Sequence, residues 1–347
     1  MKAYFRTEAS NAVGMGHLMR CMALAQILSD QYIKCSFIVP PESIPFCLGR
    51  HDWDFSLIPL QEELPTIDEY RWFSENIDLT SDDILVLDSY KFTGQYISSM
   101  AQLPASLVLF DDCNDRDKLE VDVVINSAGG ADSLGYEVTA PDAHYCLGEQ
   151  YRLLRREFLT ELPQPLPDRN SLTIVMGGTD PQGLSLRILQ ELSQQEFYGP
   201  VRLVTTSNNP QLEEIKLFTT NTLLSVQLVI DCQDLATIFS HSRLTLSAAG
   251  SSQFELLAMH CPTVLLVVAD NQFNAAQASE NQGWCRVFDV RETKNMVNVV
   301  SGLTQLWQNE SKLQSMMKAA QQHADTKGNE RILDTIARLD SERLDGR

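Results

Sequence analysis

Positive charge is scarce in this sequence: 27 lysines and arginines stand against 46 aspartates and glutamates, a formal net charge of −19 over 347 residues. That sign repels phosphate backbones and anionic lipid, so no nucleic-acid partner and no charged membrane surface is expected. The deficit is uneven, −14 over residues 1–170 and −5 over residues 171–347, which makes the C-terminal half less hostile to an anion. Paired cysteines are lacking as well. The eight cysteines form no CxxC, do not cluster with histidine, and several lie inside apolar runs such as KCSFIV. That is the pattern of buried thiols in a reducing compartment, not of a disulfide frame or a zinc site. Long hydrophobic runs are absent: the longest strongly apolar one, PTVLLVVA at 262–269, is far too short to span a bilayer. The opening MKAYFR enters a strand-like pattern at once, without the apolar core and cleavage site of a signal peptide. The expectation is a cytoplasmic protein with no membrane anchor and no obligatory protein partner.

What is present is a regular alternation. Strand-like runs at 3–5, 35–39, 84–88, 107–110 and 121–125 are separated by amphipathic stretches such as HLMRCMALAQILSDQ. Three prolines in 158–171 interrupt this beat, and a proline can neither continue a helix nor donate to one. The beat restarts with strand-like runs at 172–178, 201–207, 224–231, 244–250 and 263–269 and helical patterns at 183–195, 234–241 and 252–259. Alternating strands and helices of this kind feed parallel sheets. The sequence therefore predicts an α/β protein of two Rossmann-like domains, 1–157 and 172–330, facing each other across a substrate cleft with 158–171 as linker. Residues 331–347 should form a helix, and ERILDTIARLD has apolar spacing suited to crossing back onto the first domain.

In such sheets ligands bind at the C-terminal ends of the strands. The first strand ends near Arg6, and Gly14, Gly16 and His17 follow in a loop that leads into a helix. Two glycines let backbone amides approach a ligand at a helix N-terminus, and the positive end of the helix dipole favours the neutral imidazole a general base requires. A packing turn with a capping histidine would give the same local pattern. Met19 occupies the third glycine position of a dinucleotide fingerprint, which argues against that reading.

Gly177-Gly178 and Gly250-Ser251-Ser252 each follow a strand and precede a helix, so backbone amides and hydroxyls could cradle an oxyanion; no GKS or GKT of a Walker loop is present. Glu255 lies one helical turn beyond Ser251 and could accept from a ribose diol, or could form a capping box with Ser252. Asn271 and Gln272 follow another strand end, where amides can read sugar hydroxyls or N-acetyl groups. Tyr90, just past the strand that ends at Asp88, could bond a substrate or orient a base, or simply pack. Asp111-Asp112 suggests a metal only superficially, since no histidine accompanies it, and a solvated acidic loop is the expectation. No metal and no cofactor is expected.

Taken together, Arg6, Ser10, Gly14, Gly16, His17, Arg20, Asp88, Tyr90, Asp111-Asp112, Gly177-Gly178, Asp180-Pro181, Gly250-Ser251, Glu255 and Asp270-Asn271-Gln272 give a specific pattern. It resembles the UDP-2,4-diacetamido-2,4,6-trideoxy-β-L-altropyranose hydrolase family of pseudaminic acid biosynthesis, within the GT-B superfamily. Glu8 stands where the first motif of that family usually has aspartate. The resemblance implies hydrolysis of the anomeric C–O bond of the UDP-sugar with inversion. It also implies that His17 is the base that activates water, that Tyr90 and Asn271 lie at the sugar, and that Gly250, Ser251, Ser252 and Glu255 form the uridine-diphosphate site. A GT-B transferase passing the sugar to an acceptor, and a hydrolase of another UDP-diacetamido sugar, share these features.

Overall fold

Strands that are covered on both faces read as continuous apolar runs, and ILVLD and SLVLF, buried at every position, are of this kind. The computed structural model describes residues 1–10, 14–61, 64–293 and 295–344, the last five of them as backbone only. It divides into two compact units, one of Met1–Arg156 with the segment from Thr326 onward, the other of Glu157–Asp325.

The first unit is built on seven strands: β1 (Lys2–Thr7), β2 (Lys34–Val39), β3 (Ser56–Pro59), β4 (Ile84–Asp88), β5 (Ser106–Phe110), β6 (Val123–Asn126) and β7 (His144–Leu147). They lie in the order β3-β2-β1-β4-β5-β6-β7, every pair parallel. Side chains alternate between two cores. Phe5, Val86 and Val108 pack on one face with Leu18, Leu24 and Leu28 of the helix Gly16–Asp30, whereas Leu85, Leu87 and Leu109 meet Trp72, Phe73 and Ile97 on the other.

The second unit repeats the plan with β8 (Ser171–Val175), β9 (Val201–Thr205), β10 (Val226–Ile230), β11 (Ser242–Ala248), β12 (Thr263–Val267) and β13 (Cys285–Asp289), ordered β10-β9-β8-β11-β12-β13. Both orders are those of a doubly wound sheet. The order reverses beside β1 and β4 in the first unit and beside β8 and β11 in the second, and a strand reversal of this kind opens a crevice at the C-terminal strand ends.

The sequence pattern missed β3, β7 and β13. These are edge strands, largely half-exposed, so they lack the continuous apolar run that marks a central strand. The proline-bearing segment also differs from a bare linker: it opens on the helix Arg156–Thr160 and carries a single helical turn at Leu166–Asp168. The final helix, Gly328–Leu344, packs into the first unit through Ile332, Ile336 and Leu339; residues 345–347 lie outside the described residues. Its start is fixed by Asn329, whose amide donates to the Leu154 carbonyl at 2.8 Å while its oxygen accepts from the Leu154 N–H at 2.9 Å. A Cβ on Gly328 would run into the backbone of Arg152.

Candidate active site

The helix Gly16–Asp30 starts just after the loop that leaves β1, and its first turns place His17, Arg20 and Cys21 at i, i+3 and i+4, on one face. All three reach the carboxylate at the end of β4. His17 Nδ1 lies 2.5 Å from Asp88 Oδ1. Arg20 grips the same carboxylate with two nitrogens, Nη2 to Oδ1 at 2.6 Å and Nε to Oδ2 at 2.7 Å, and the Cys21 thiol donates to Oδ2 at 3.5 Å.

Asp88 is fully buried. Burial alone would raise its carboxyl, but the charges and hydrogen bonds of Arg20 and His17 outweigh that and hold it well below the ordinary 3.8. An ionised carboxylate can only accept, so the contact calls for a proton on Nδ1, and in the neutral imidazole that puts the lone pair on Nε2. This is the tautomer a base needs.

The network continues past β5. Asp112 Oδ1 accepts from Arg20 Nη1 at 2.7 Å, and Asp112 Oδ2 accepts from the Tyr90 hydroxyl at 2.7 Å. The Tyr90 ring returns to His17 edge-on, with centroids 4.6 Å apart at 79°. Burial works against the Asp112 charge, yet the charge and hydrogen bond of Arg20 prevail and its carboxyl lies below the usual value. The expectation of a solvated acidic loop is therefore corrected. Asp111 is buried, takes the Arg116 guanidinium, and accepts from the Tyr136 hydroxyl at 2.6 Å. Among the described residues no three His, Cys, Asp or Glu side chains are grouped to hold a metal ion.

Two motif residues act as scaffold. Arg6 is buried and pairs with both oxygens of Glu69 at 2.7 and 2.8 Å. Glu8 accepts from Ser89 Oγ and Lys91 Nζ, each at 2.7 Å. A cavity of about 700 Å³ adjoins the network, lined by Tyr90, Phe92, Gln95, Asp112 and Lys118 among others, a size that suits a small ligand.

In the second unit the two glycine loops are not equivalent. Gly177 has φ +80°, and the Gly178 carbonyl accepts from the Thr206 hydroxyl. The helix Leu184–Gln194 that follows is already capped: Asp180 accepts from the backbone N–H of Leu184 at 3.0 Å and of Ser185 at 2.7 Å. A carboxylate occupies that helix start, so it is not the open anion cradle its sequence suggests. The helix Ser252–Ala258 has no such cap, because the N-cap residue Ser251 makes no side-chain capping bond. With Ser251 at the N-cap, Ser252 is already the first helical residue and Glu255 the fourth, so the two do not occupy the N-cap and N3 positions of a capping box.

Gly16 and Gly250 have ordinary backbone angles, and a Cβ on either would meet nothing within 4 Å. Neither packing nor conformation requires glycine there. Gln272 accepts from the Val268 N–H at 3.0 Å and closes the turn after β12, while Gln182 donates to the Val268 carbonyl at 2.9 Å and ties the end of β12 to the loop before the Leu184–Gln194 helix. Asn271 is exposed on the turn Asp270–Gln272.

The role of Asp88 as partner of the imidazole escaped the sequence reading, although the i, i+3, i+4 spacing of His17, Arg20 and Cys21 was the available signal. Two parallel doubly wound sheets in one chain define the GT-B architecture, and solved structures share it. MurG of Acinetobacter baumannii superposes with a TM-score of 0.65 at 16% identity, covering 97% of this chain and all of that one. The S. aureus MnaA–UDP complex does so with a TM-score of 0.64 at 14% identity, covering 97% and 96%.

More particularly, residues 172–332 match the glycosyltransferase family 28 C-terminal domain. Along 290 residues the chain is 24% identical to the UDP-2,4-diacetamido-2,4,6-trideoxy-β-L-altropyranose hydrolase of Campylobacter jejuni, covering 82% of this chain and 98% of that protein. It is 21% identical over 275 residues to the spore coat polysaccharide biosynthesis protein SpsG of Bacillus subtilis, covering 78% of each.

Proposed function

We propose that this protein is a nucleotide-sugar hydrolase that cleaves the anomeric C–O bond of UDP-2,4-diacetamido-2,4,6-trideoxy-β-L-altropyranose with inversion, releasing the free sugar and UDP. The observation that carries the reading is the buried His17–Asp88 contact at 2.5 Å, which leaves Nε2 as the basic nitrogen. The identity of the sugar is supported by the likeness to the Campylobacter hydrolase along nearly that protein's whole length.

In this mechanism His17 Nε2 takes a proton from water as the water oxygen attacks C1. The C1–O bond breaks, its electron pair leaves with the β-phosphate, and attack from the opposite side inverts the anomeric centre. Asp88 stabilises the imidazolium that forms. UDP is a good leaving group, so no second carboxylic acid at glycosidase spacing is required. Charge developing on the diphosphate is met by backbone amides at the Gly250–Ser252 helix start. Glu255 accepts from the ribose diol, and Tyr90, Asn271 and the free amide end of Gln272 contact the sugar, with Gly14 and Gly16 allowing close approach beside the base.

Release of UDP from this UDP-sugar with no acceptor present tests the reading. Turnover under those conditions supports hydrolysis, and strict dependence on an added acceptor overturns it. The match of residues 172–332 to a glycosyltransferase domain favours a second reading, transfer of the same sugar to an acceptor, and the same assay separates the two.

A further inference from the structure

Asp112 takes no part in the chemistry just described, yet its two carboxylate oxygens serve two different arms of the network. Oδ1 holds Arg20 and Oδ2 holds the Tyr90 hydroxyl, each at 2.7 Å. Both arms end on the same imidazole. Arg20 grips Asp88, which holds His17 Nδ1, while the Tyr90 ring lies edge-on to the His17 ring. The five side chains thus close a ring, and Asp112 is the member that joins the arms. The restraint on Tyr90 matters because that side chain is otherwise 56% exposed, and an exposed phenol samples several rotamers unless a partner fixes it.

We propose that Asp112 is a positioning residue for His17: by holding Arg20 and Tyr90 at once, it fixes the imidazole in the orientation and tautomer that leave Nε2 as the base. The inference rests on the water-activating role proposed for His17, but its physical content, a single tautomer maintained by the ring, is independent of any substrate. An asparagine at 112 keeps the shape but has one acceptor oxygen, with an NH2 in place of the other, so it cannot accept from both donors. The oxygen keeps one arm, without the carboxylate charge, and the other arm is set against an N–H, to which neither Arg20 nor the Tyr90 hydroxyl can donate.

The test uses the full chain and three variants. Asp112→Asn is expected to lower kcat about tenfold to a hundredfold with KM unchanged, the signature of a misplaced base. Without any substrate, 15N spectra of the His17 imidazole should pass from a single Nδ1–H tautomer to an averaged mixture. Asp112→Glu, which keeps two acceptors, should restore part of both. Tyr90→Phe removes one arm at an exposed site and should give a smaller spectral change in the same direction.

Retention of the single tautomer in Asp112→Asn overturns the proposal whatever the rate does. So does a raised KM at unchanged kcat, which would make Asp112 a direct substrate contact in the adjoining cavity. Failure of the hydrolase reading looks different: the wild-type chain would release no UDP without an acceptor, while the tautomer comparison would still decide the role of Asp112.

Discussion

The strand ends of the two units carry different materials. At the ends of β4 and β5 and on the helix after β1, the first unit gathers His17, Arg20, Asp88 and Asp112 into a continuous ion-paired network. At the corresponding positions of the second unit stand the glycines, serines and amides Gly177, Gly250, Ser251, Ser252, Asn271 and Gln272, beside an exposed Asp270–Arg291–Asp289 ion-pair cluster that includes no histidine. On the proposed function, the same doubly wound plan supports two kinds of chemistry. Proton transfer needs a titratable group held in one protonation state, and that requires fixed charges around it. Holding a diphosphate needs only N–H groups pointed at it, and those come from the backbone without altering the side-chain charge. This explains how a chain of net charge −19 can be read as binding an anion.

The comparison is sharpened by changes that act on one unit alone. Asp88→Asn is expected to have the largest effect. With the carboxylate gone, the imidazole loses the partner that sets its tautomer, and kcat should fall by about 10²- to 10⁴-fold. Removing one partner of this buried set also destabilises the fold, by about 3–5 kcal/mol, measurable by denaturant unfolding.

The same carboxylate gives a pH signature. Its folded value is depressed below 3.8, so its stabilising contribution is fully present above that value and is lost as pH falls below it. Asp88→Asn should flatten that acidic part of the stability curve. An unchanged curve would mean that the buried pairing contributes nothing.

A smaller effect is expected in the second unit. Asp180→Ala removes the cap of the Leu184–Gln194 helix and should cost about 0.5–2 kcal/mol, with the His17 tautomer untouched. Gly250→Ala sharpens the contrast most cleanly, because it adds a methyl where nothing lies within 4 Å. Stability should hold or rise by about 0.4–1 kcal/mol, while UDP affinity, followed by calorimetry, falls. Unaltered affinity would remove that helix start from the diphosphate site.

Central strands were legible in the sequence because both faces are covered and the apolar runs are unbroken; Ile84–Asp88 reads the same in the sequence as in the fold. Of the four edge strands, Ser56–Pro59, His144–Leu147 and Cys285–Asp289 were not, since half-exposure mixes polar and apolar residues, whereas Val226–Ile230 kept enough apolar positions to be read. At the site, local signals carried over well: glycines before helices, and a histidine in the first turn. Pairings across the chain did not. His17 and Asp88 are 71 residues apart, and Arg20 and Asp112 are 92 apart, so only the parallel pairing of β1 with β4 and β4 with β5 brings them together. The acidic pair at 111–112 shows the same limit, because no composition rule distinguishes a solvated aspartate from one that closes a buried network.

The central claim is that water activated by His17 attacks carbon rather than phosphorus. Turnover of the UDP-sugar in 18O-labelled water tests it most directly. The label is expected at C1 of the released sugar and absent from UDP; label in the UDP phosphate would contradict the account.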